Sequence, residues 1–218
     1  MQPESKGYDT PPAGEPARKK LSPAKVALLC LLAAVVTAAV VAGVVAWNTH
    51  HNLNFGCVEP GILYRCGQPG GSSLRGLVEK YGIKTVVNLR SAAKIQEDRE
   101  AQEEISFATR NHVNLVFVPV SDVPTLEQVR EFLDLVKDPA NRPVLIHCAG
   151  GKERSGMMVA VYRIVVDGWP EERALKEMIS YGYDPRKKRM WKFVQACAVI
   201  LVGRPGPPLP TPEDVPGD

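Results

Sequence analysis

Residues 145–156 read LIHCAGGKERSG, and they gather a thiol, three glycines, two cations and a hydroxyl within a dozen positions. The apolar run Val144, Leu145 and Ile146 reads as a buried strand that ends at His147 and Cys148. If a helix starts after the loop, the N–H groups of Ala149, Gly150, Gly151, Lys152, Glu153 and Arg154 can converge on one point. The helix dipole adds partial positive charge there. Gly150 and Gly151 carry no side chain to block a close approach of backbone to an anion. Arg154 offers a planar fork that matches two phosphate oxygens. A cysteine in such a field is favoured as the thiolate, the nucleophilic form. A thiolate beside an oxyanion cradle implies attack on a bound phosphoryl group.

This chemistry needs a scaffold that brings a strand end, a loop and a helix start together. Residues 52–203 carry alternating short apolar runs and amphipathic stretches. FGCVEPGILYRCGQP predicts two short strands around a Glu-Pro-Gly turn, and GSSLRGLVEKYG a short helix closed by Gly82. IKTVVNLR predicts a strand, KIQEDREAQEEISFATRNH a helical stretch with a solvated face, and VNLVFVPV a buried strand. Residues 125–136 predict a helix capped by Thr125 with Gln128 completing a capping box. RPVLIH is a further strand and SGMMVAVYRIVVDG a helix. Pro170 is placed at the first helical position of PEERALKEMISYG, and KRMWKFVQACAVILV predicts a last helix. The pattern predicts an α/β fold: one domain with a central, mostly parallel sheet flanked by helices. Ligands of such sheets bind beyond the carboxyl ends of the strands, where His147 and Cys148 stand.

The motif HCAGGKERSG matches the HCx5R(S/T)G signature of the cysteine-dependent protein tyrosine phosphatases. LYRCGQP and GIKTVVNLR resemble entry and strand segments of that superfamily's small dual-specificity branch, and the resemblance spans roughly residues 52–182. It implies a single α/β domain and a chemistry that needs no metal or other cofactor. It further implies that Cys148 is the nucleophile and forms a phosphocysteine. Arg154 and the backbone of residues 149–154 would bind the phosphate. Ser155 would donate a hydrogen bond to the departing sulfur, and His147 would support the loop. The family's general acid is an aspartate upstream of the nucleophile. Asp122, in VPVSDVPT and 26 residues before Cys148, meets this description, with Asp134 and Asp138 as competitors on the following helix and its exit. The family's LYRSGQP serine is Cys66 here, and Cys57 and Cys66 either bridge as a disulfide or stand as two independent small residues.

Outside this domain the chain changes character. Residues 1–25 form a polar, Pro-containing and basic segment, and residues 204–218 a Pro-rich tail, both expected to be disordered. Residues 26–47 run without a charge, enough for a helix of about 30 Å, the thickness of a bilayer core. Arg18, Lys19, Lys20 and Lys25 precede this run, and no Lys or Arg follows before Arg65. A single-pass anchor is the expectation, with a cleaved signal peptide as the rival reading. The charge bias puts the N-terminus in the cytoplasm and the catalytic domain across the membrane. That side conflicts with a catalytic thiolate, which needs a reducing surrounding.

The expected partners are the bilayer, through residues 26–47, and a phosphorylated substrate. A net charge of +3 gives no reason to expect nucleic acid, and five irregularly spaced cysteines do not make a zinc site or a disulfide framework. Phosphotyrosine, phosphoserine or phosphothreonine protein is the expected substrate class. The HCxxGKxR pattern around Lys152 resembles members that act on phosphoinositides or inositol phosphates, as well as some bacterial tyrosine phosphatases, so those substrates stay open. The basic run DPRKKRMWKF touches anionic lipid or is a solvated helix face. Two other classes share the strand–Cys–loop design: a phosphate-binding protein without turnover, and a sulfur-transfer protein of rhodanese type. The Ser155-Gly156 ending and the NLR strand speak against the latter.

Overall fold

The computed structural model describes residues 22–203. The tail 204–218 and all but the last residues of the basic segment 1–25 lie outside them, as do Arg18, Lys19 and Lys20. The chain divides into two compact units between Val45 and Ala46. Helix α1 is Pro23–Leu53, and its stretch Pro23–Val41 is long and apolar enough to cross a membrane, with none of it buried in the protein. A signal sequence has the same composition and place.

The second unit carries a five-stranded sheet in the order β1-β2-β5-β3-β4, from strands Gly56–Glu59, Leu63–Cys66, Thr85–Asn88, Asn114–Phe117 and Val144–His147, numbered β1 to β5 along the chain. Only the β1–β2 hairpin is antiparallel. Side chains alternate across this sheet, as the strand period requires. Leu63, Val87, Val144 and Ile146 enter one core, while Tyr64, Cys66, Val86 and Leu145 enter the other. Helices cover both faces, so the central strands are fully buried.

Helix α2 (Gly71–Tyr81) and α4 (Arg99–Arg110) cover the second core, after the short α3 (Ala92–Gln96). On the other face lie α5 (Leu126–Lys137), α6 (Arg154–Val165), α7 (Glu171–Ser180) and α8 (Lys188–Val202). Helix α6 is buried from Ser155 to Ile164, because α5, α7 and α8 pack around it. That enclosure explains its nearly uninterrupted apolar sequence.

Local signals fixed several of these ends. Gly82 closes α2 in the left-handed region at φ 66°, and the Thr125–Gln128 capping box opens α5. The charged stretch 94–112 is helical, as expected, and divides into two helices because Asp98 accepts hydrogen bonds from Glu100 N and Ala101 N and starts a new one. Two expectations are corrected. Strand β4 is not buried: it is the sheet's edge, paired only to β3, and Phe117 is 43% exposed. Pro170 stands one residue before α7, as its cap.

Candidate active site

Parallel pairing lines up Cys66, His147 and Asn88 across β2, β5 and β3. The strand ends that follow them, at Gly67, Cys148 and Leu89, therefore share one edge of the sheet. Cys148 is buried there at 2% exposure, and its Sγ lies 3.5 Å from the Ser155 Oγ in the first turn of α6. Ser155 is fully buried. The loop from Ala149 to Glu153 thus joins β5 to the N-terminus of α6, which begins at Arg154.

Two glycines let this loop lie flat against the β2 end. Gly151 has φ +67°, and a Cβ on it would stand 2.6 Å from Gly67 N and 2.7 Å from the Cys66 carbonyl carbon. A Cβ on Gly67 would meet Ala149 O at 3.0 Å. The close approach that demands Gly151 is thus to the protein's own backbone, a correction to its expected role of clearing space for an anion. Gly150 meets only the stem of Lys152, at 3.8 Å. Gln68 N donates to Ala149 O at 2.9 Å and pins the start of the loop.

Arg154 reaches across the edge and donates to Leu89 O at 3.4 Å and Val120 O at 3.3 Å, which places its guanidinium among the strand ends. Lys152 is exposed, with its stem against Gly182. Glu153 accepts from Lys187 Nζ at 2.9 Å, and this bond raises the lysine's pKa. Asp122 lies on the loop between β4 and α5, as expected. Its Oδ2 accepts from Arg189 Nη1 at 2.9 Å, and its side chain is 53% exposed. Asp134 is on α5, and Asp138 caps the turn that follows it by accepting from Ala140 N.

Behind the loop is a buried polar network that the motif does not announce. His147 Nε2 lies 2.7 Å from Glu104 Oε1, with both side chains fully buried. The two atoms are in contact but are not aligned as a hydrogen bond, and neither has a hydrogen-bond partner among the described residues. Glu104 Oε2 accepts from Gln68 Nε2 at 2.8 Å and from Asn88 Nδ2 at 3.0 Å. Gln68 Oε1 in turn accepts from Arg90 Nη1 at 2.7 Å, and Arg90 pairs with Asp98 at 2.7 Å. The Arg90 hydrogen bond holds the Asp98 carboxyl below the usual carboxylate range. Apart from the Glu104 Oε1 and His147 Nε2 pair, these side chains hydrogen-bond their neighbours, which lets the network stay buried. Glu104 had one sequence signal: it falls on the same helical face as Ala101, Phe107 and Ala108, all buried.

Cys57 and Cys66 are both free, the first exposed and the second buried. The bridging alternative is therefore not realised. Burial, with Glu104 and Cys148 nearby, pushes the Cys66 thiol well up, so this cysteine is a poor nucleophile.

A family model described as "DSP-PTPase phosphatase fused to NAD+ Kinase" matches residues 41–196. The chain belongs to this DSP-PTPase family. Among its relatives, the dual specificity protein phosphatase TpbA of Pseudomonas aeruginosa is 32% identical over 126 residues, which are 56% of this chain and 51% of that protein. The chain thus spans about half the length of that relative. The inositol diphosphatase DSP3 of Arabidopsis thaliana is 29% identical over 153 residues, 67% of this chain and 71% of that protein. The crystal structure of P. aeruginosa TpbA superposes with a TM-score of 0.56 at 25% identity, covering 69% of this chain and 91% of that one. The core catalytic domain of the PP-IP phosphatase SIW14 from S. cerevisiae, in complex with citrate, shares the fold with a TM-score of 0.57 at 24% identity, over 66% and 84% of the two chains.

Proposed function

We propose that the chain is a membrane-anchored cysteine-dependent phosphatase, with residues 26–47 as the anchor and residues 52–203 as the catalytic domain. The observation that carries this reading is the buried Cys148 at the head of α6, with the Ser155 hydroxyl 3.5 Å from its sulfur. In the first step the Cys148 thiolate attacks phosphorus and an S–P bond forms. The P–O bond to the alcohol or phenol breaks, and the leaving oxygen takes the proton of the Asp122 carboxyl. Arg154 and the N–H groups of residues 149–154 hold the phosphoryl oxygens, which gain charge in the transition state. In the second step water attacks phosphorus and loses a proton to the Asp122 carboxylate. The S–P bond breaks, with the Ser155 hydroxyl donating to the departing sulfur, and inorganic phosphate leaves. For Asp122 to act, its carboxyl must part from Arg189. An exposed pair of this kind contributes only about 0–1 kcal/mol, so the parting is inexpensive.

Phosphorylated protein is the first substrate class, in line with the relative named a dual specificity protein phosphatase. A second reading, phosphorylated inositols or their lipids, is favoured by Lys152, Lys187 and Arg189 at the rim, and by relatives named inositol diphosphatases. The full chain under reducing conditions is assayed on phosphotyrosine and phosphothreonine peptides, phosphoinositides and inositol polyphosphates. Cys148→Ser abolishes turnover while phosphate still binds, and Asp122→Asn lowers kcat about a hundredfold. Turnover that survives Cys148→Ser refutes the mechanism, and the preferred substrate decides between the two classes.

A further inference from the structure

A loop that turns its N–H groups inward to an anion must turn carbonyls outward, and each outward carbonyl needs a donor when it is buried. Ala149 O receives Gln68 N. Gly151 O receives two side-chain donors: Arg65 Nη2 at 2.7 Å and Asn54 Nδ2 at 3.0 Å. The same Asn54 amide lies 3.4 Å from Gly150 O and 2.7 Å from Tyr181 O, at the end of α7. Asn54 sits at φ 49°, immediately after the last residue of α1, a conformation that Asn tolerates better than most residues. Its amide therefore ties the crest of the loop to the α7 exit from outside.

Arg65 approaches from within. It is fully buried on β2, one residue before Cys66, with its guanidinium 4.1 Å from the centre of the Tyr181 ring. A Cβ on Gly156 would lie 3.6 Å from Arg65 Nη2, so the guanidinium spans the interior between the loop crest and the first turn of α6. Its Nε and Nη1 have no hydrogen-bond partner among the described residues. Glu177, the carboxylate whose charge acts on it, is hydrogen-bonded to Arg163 instead. A buried cation without a carboxylate partner calls for another anion. Burial pulls the guanidinium's pKa down, and Tyr181, Glu177 and Cys148 act against that pull.

We propose that Asn54 and Arg65 are positioning residues of the phosphate loop: together they clamp its outward carbonyls, and Arg65 supplies the buried positive charge that balances the Cys148 thiolate and the bound phosphoryl group. This rests on the phosphatase reading above, in which residues 149–154 cradle phosphate. Neither residue touches the substrate; both act through the loop.

The test needs no turnover. Iodoacetamide alkylation of Cys148 in the full chain is followed by the mass of its peptide, against pH and against added inorganic phosphate. Circular dichroism and thermal melting establish which variants are folded. Arg65→Met slows alkylation about tenfold near neutral pH and moves the midpoint of the pH profile up about one unit, while Arg65→Lys keeps the charge and restores most of the wild-type profile. Asn54→Ala leaves that midpoint in place and raises the phosphate concentration for half-protection about tenfold. If Arg65→Met does not fold, Arg65→Lys must still weaken protection by phosphate, because an ammonium does not reproduce the guanidinium fork. Folded Asn54→Ala and Arg65 variants that alkylate and are protected like wild type overturn the clamp alone. Wild-type alkylation that phosphate does not slow overturns the phosphatase reading, and the clamp's phosphate role with it.

Discussion

Glu104→Gln changes one buried oxygen into an amide at the centre of the network behind the nucleophile. In the wild type the carboxylate accepts two hydrogen bonds, from Gln68 Nε2 and Asn88 Nδ2, and its other oxygen stands 2.7 Å from His147 Nε2. A glutamine has one acceptor oxygen and one donor NH2, so it cannot accept on both sides. With its oxygen toward His147, its NH2 faces the NH2 groups of Gln68 and Asn88, and two buried donors lose their acceptor. With the amide reversed, its NH2 faces His147 Nε2, and two donors meet wherever that nitrogen carries the ring proton. Each unsatisfied buried group costs about 1–3 kcal/mol, so the variant should lose about 3 kcal/mol. For a domain of this size that is a fall in Tm of about 6–12 °C. Because His147 precedes Cys148, kcat should fall with it, by about tenfold or more. The assays are thermal denaturation and hydrolysis of an aryl phosphate at saturating substrate. Glu103→Gln is the control: Glu103 is solvent-facing and bonded to Arg99 and Gly71 N, and its loss should change neither reading measurably. A Glu104→Gln protein that melts within a degree of wild type and keeps its kcat would refute the view that this network holds the loop.

Other outcomes follow from the same geometry. Arg189→Ala releases Asp122 and raises kcat on a small monophosphate by up to about fivefold, the worth of an exposed ion pair, while lowering kcat/KM for an inositol polyphosphate; steady-state kinetics on both substrates check this. Gly151→Ala collides with Gly67 and Cys66 at a φ of +67°, so activity should be lost and Tm lowered more than by Gly150→Ala, where the site is open. Asp98 has a depressed pKa in the folded chain, so its contribution is present above its unfolded pKa of about 4 and is lost as pH falls through the lower folded value. Asp98→Asn should therefore lower Tm at pH 7 and flatten its decline toward pH 3, as read from melts across that range.

What sequence alone determined here is whatever depends on neighbours along the chain. The strand–Cys–loop–helix unit of residues 144–165 follows from an apolar run, a loop with two glycines and an apolar helix. The cap at Thr125 and the stop at Gly82 rest on hydrogen bonds that span three or four residues. The reading of Cys148, Arg154 and Ser155 as one constellation was available because all three lie within eight positions. Asp122 could be named only as a loop aspartate upstream, since nothing local says which carboxylate faces the strand ends.

The tertiary structure decided whatever depends on register and on which face is covered. That β4 is an edge strand came from the sheet order, which its apolar sequence does not encode. Glu104 is one of several acidic residues in a charged stretch, and only the packing of α4 over the row of Cys66, His147 and Asn88 brings it against the histidine. Asn54 and Arg65 stand 97 and 86 positions from the loop carbonyl they hold. The physical reason is common to all of them. A buried polar group must find partners wherever the fold brings them, and those partners come from strands and helices that only packing places side by side.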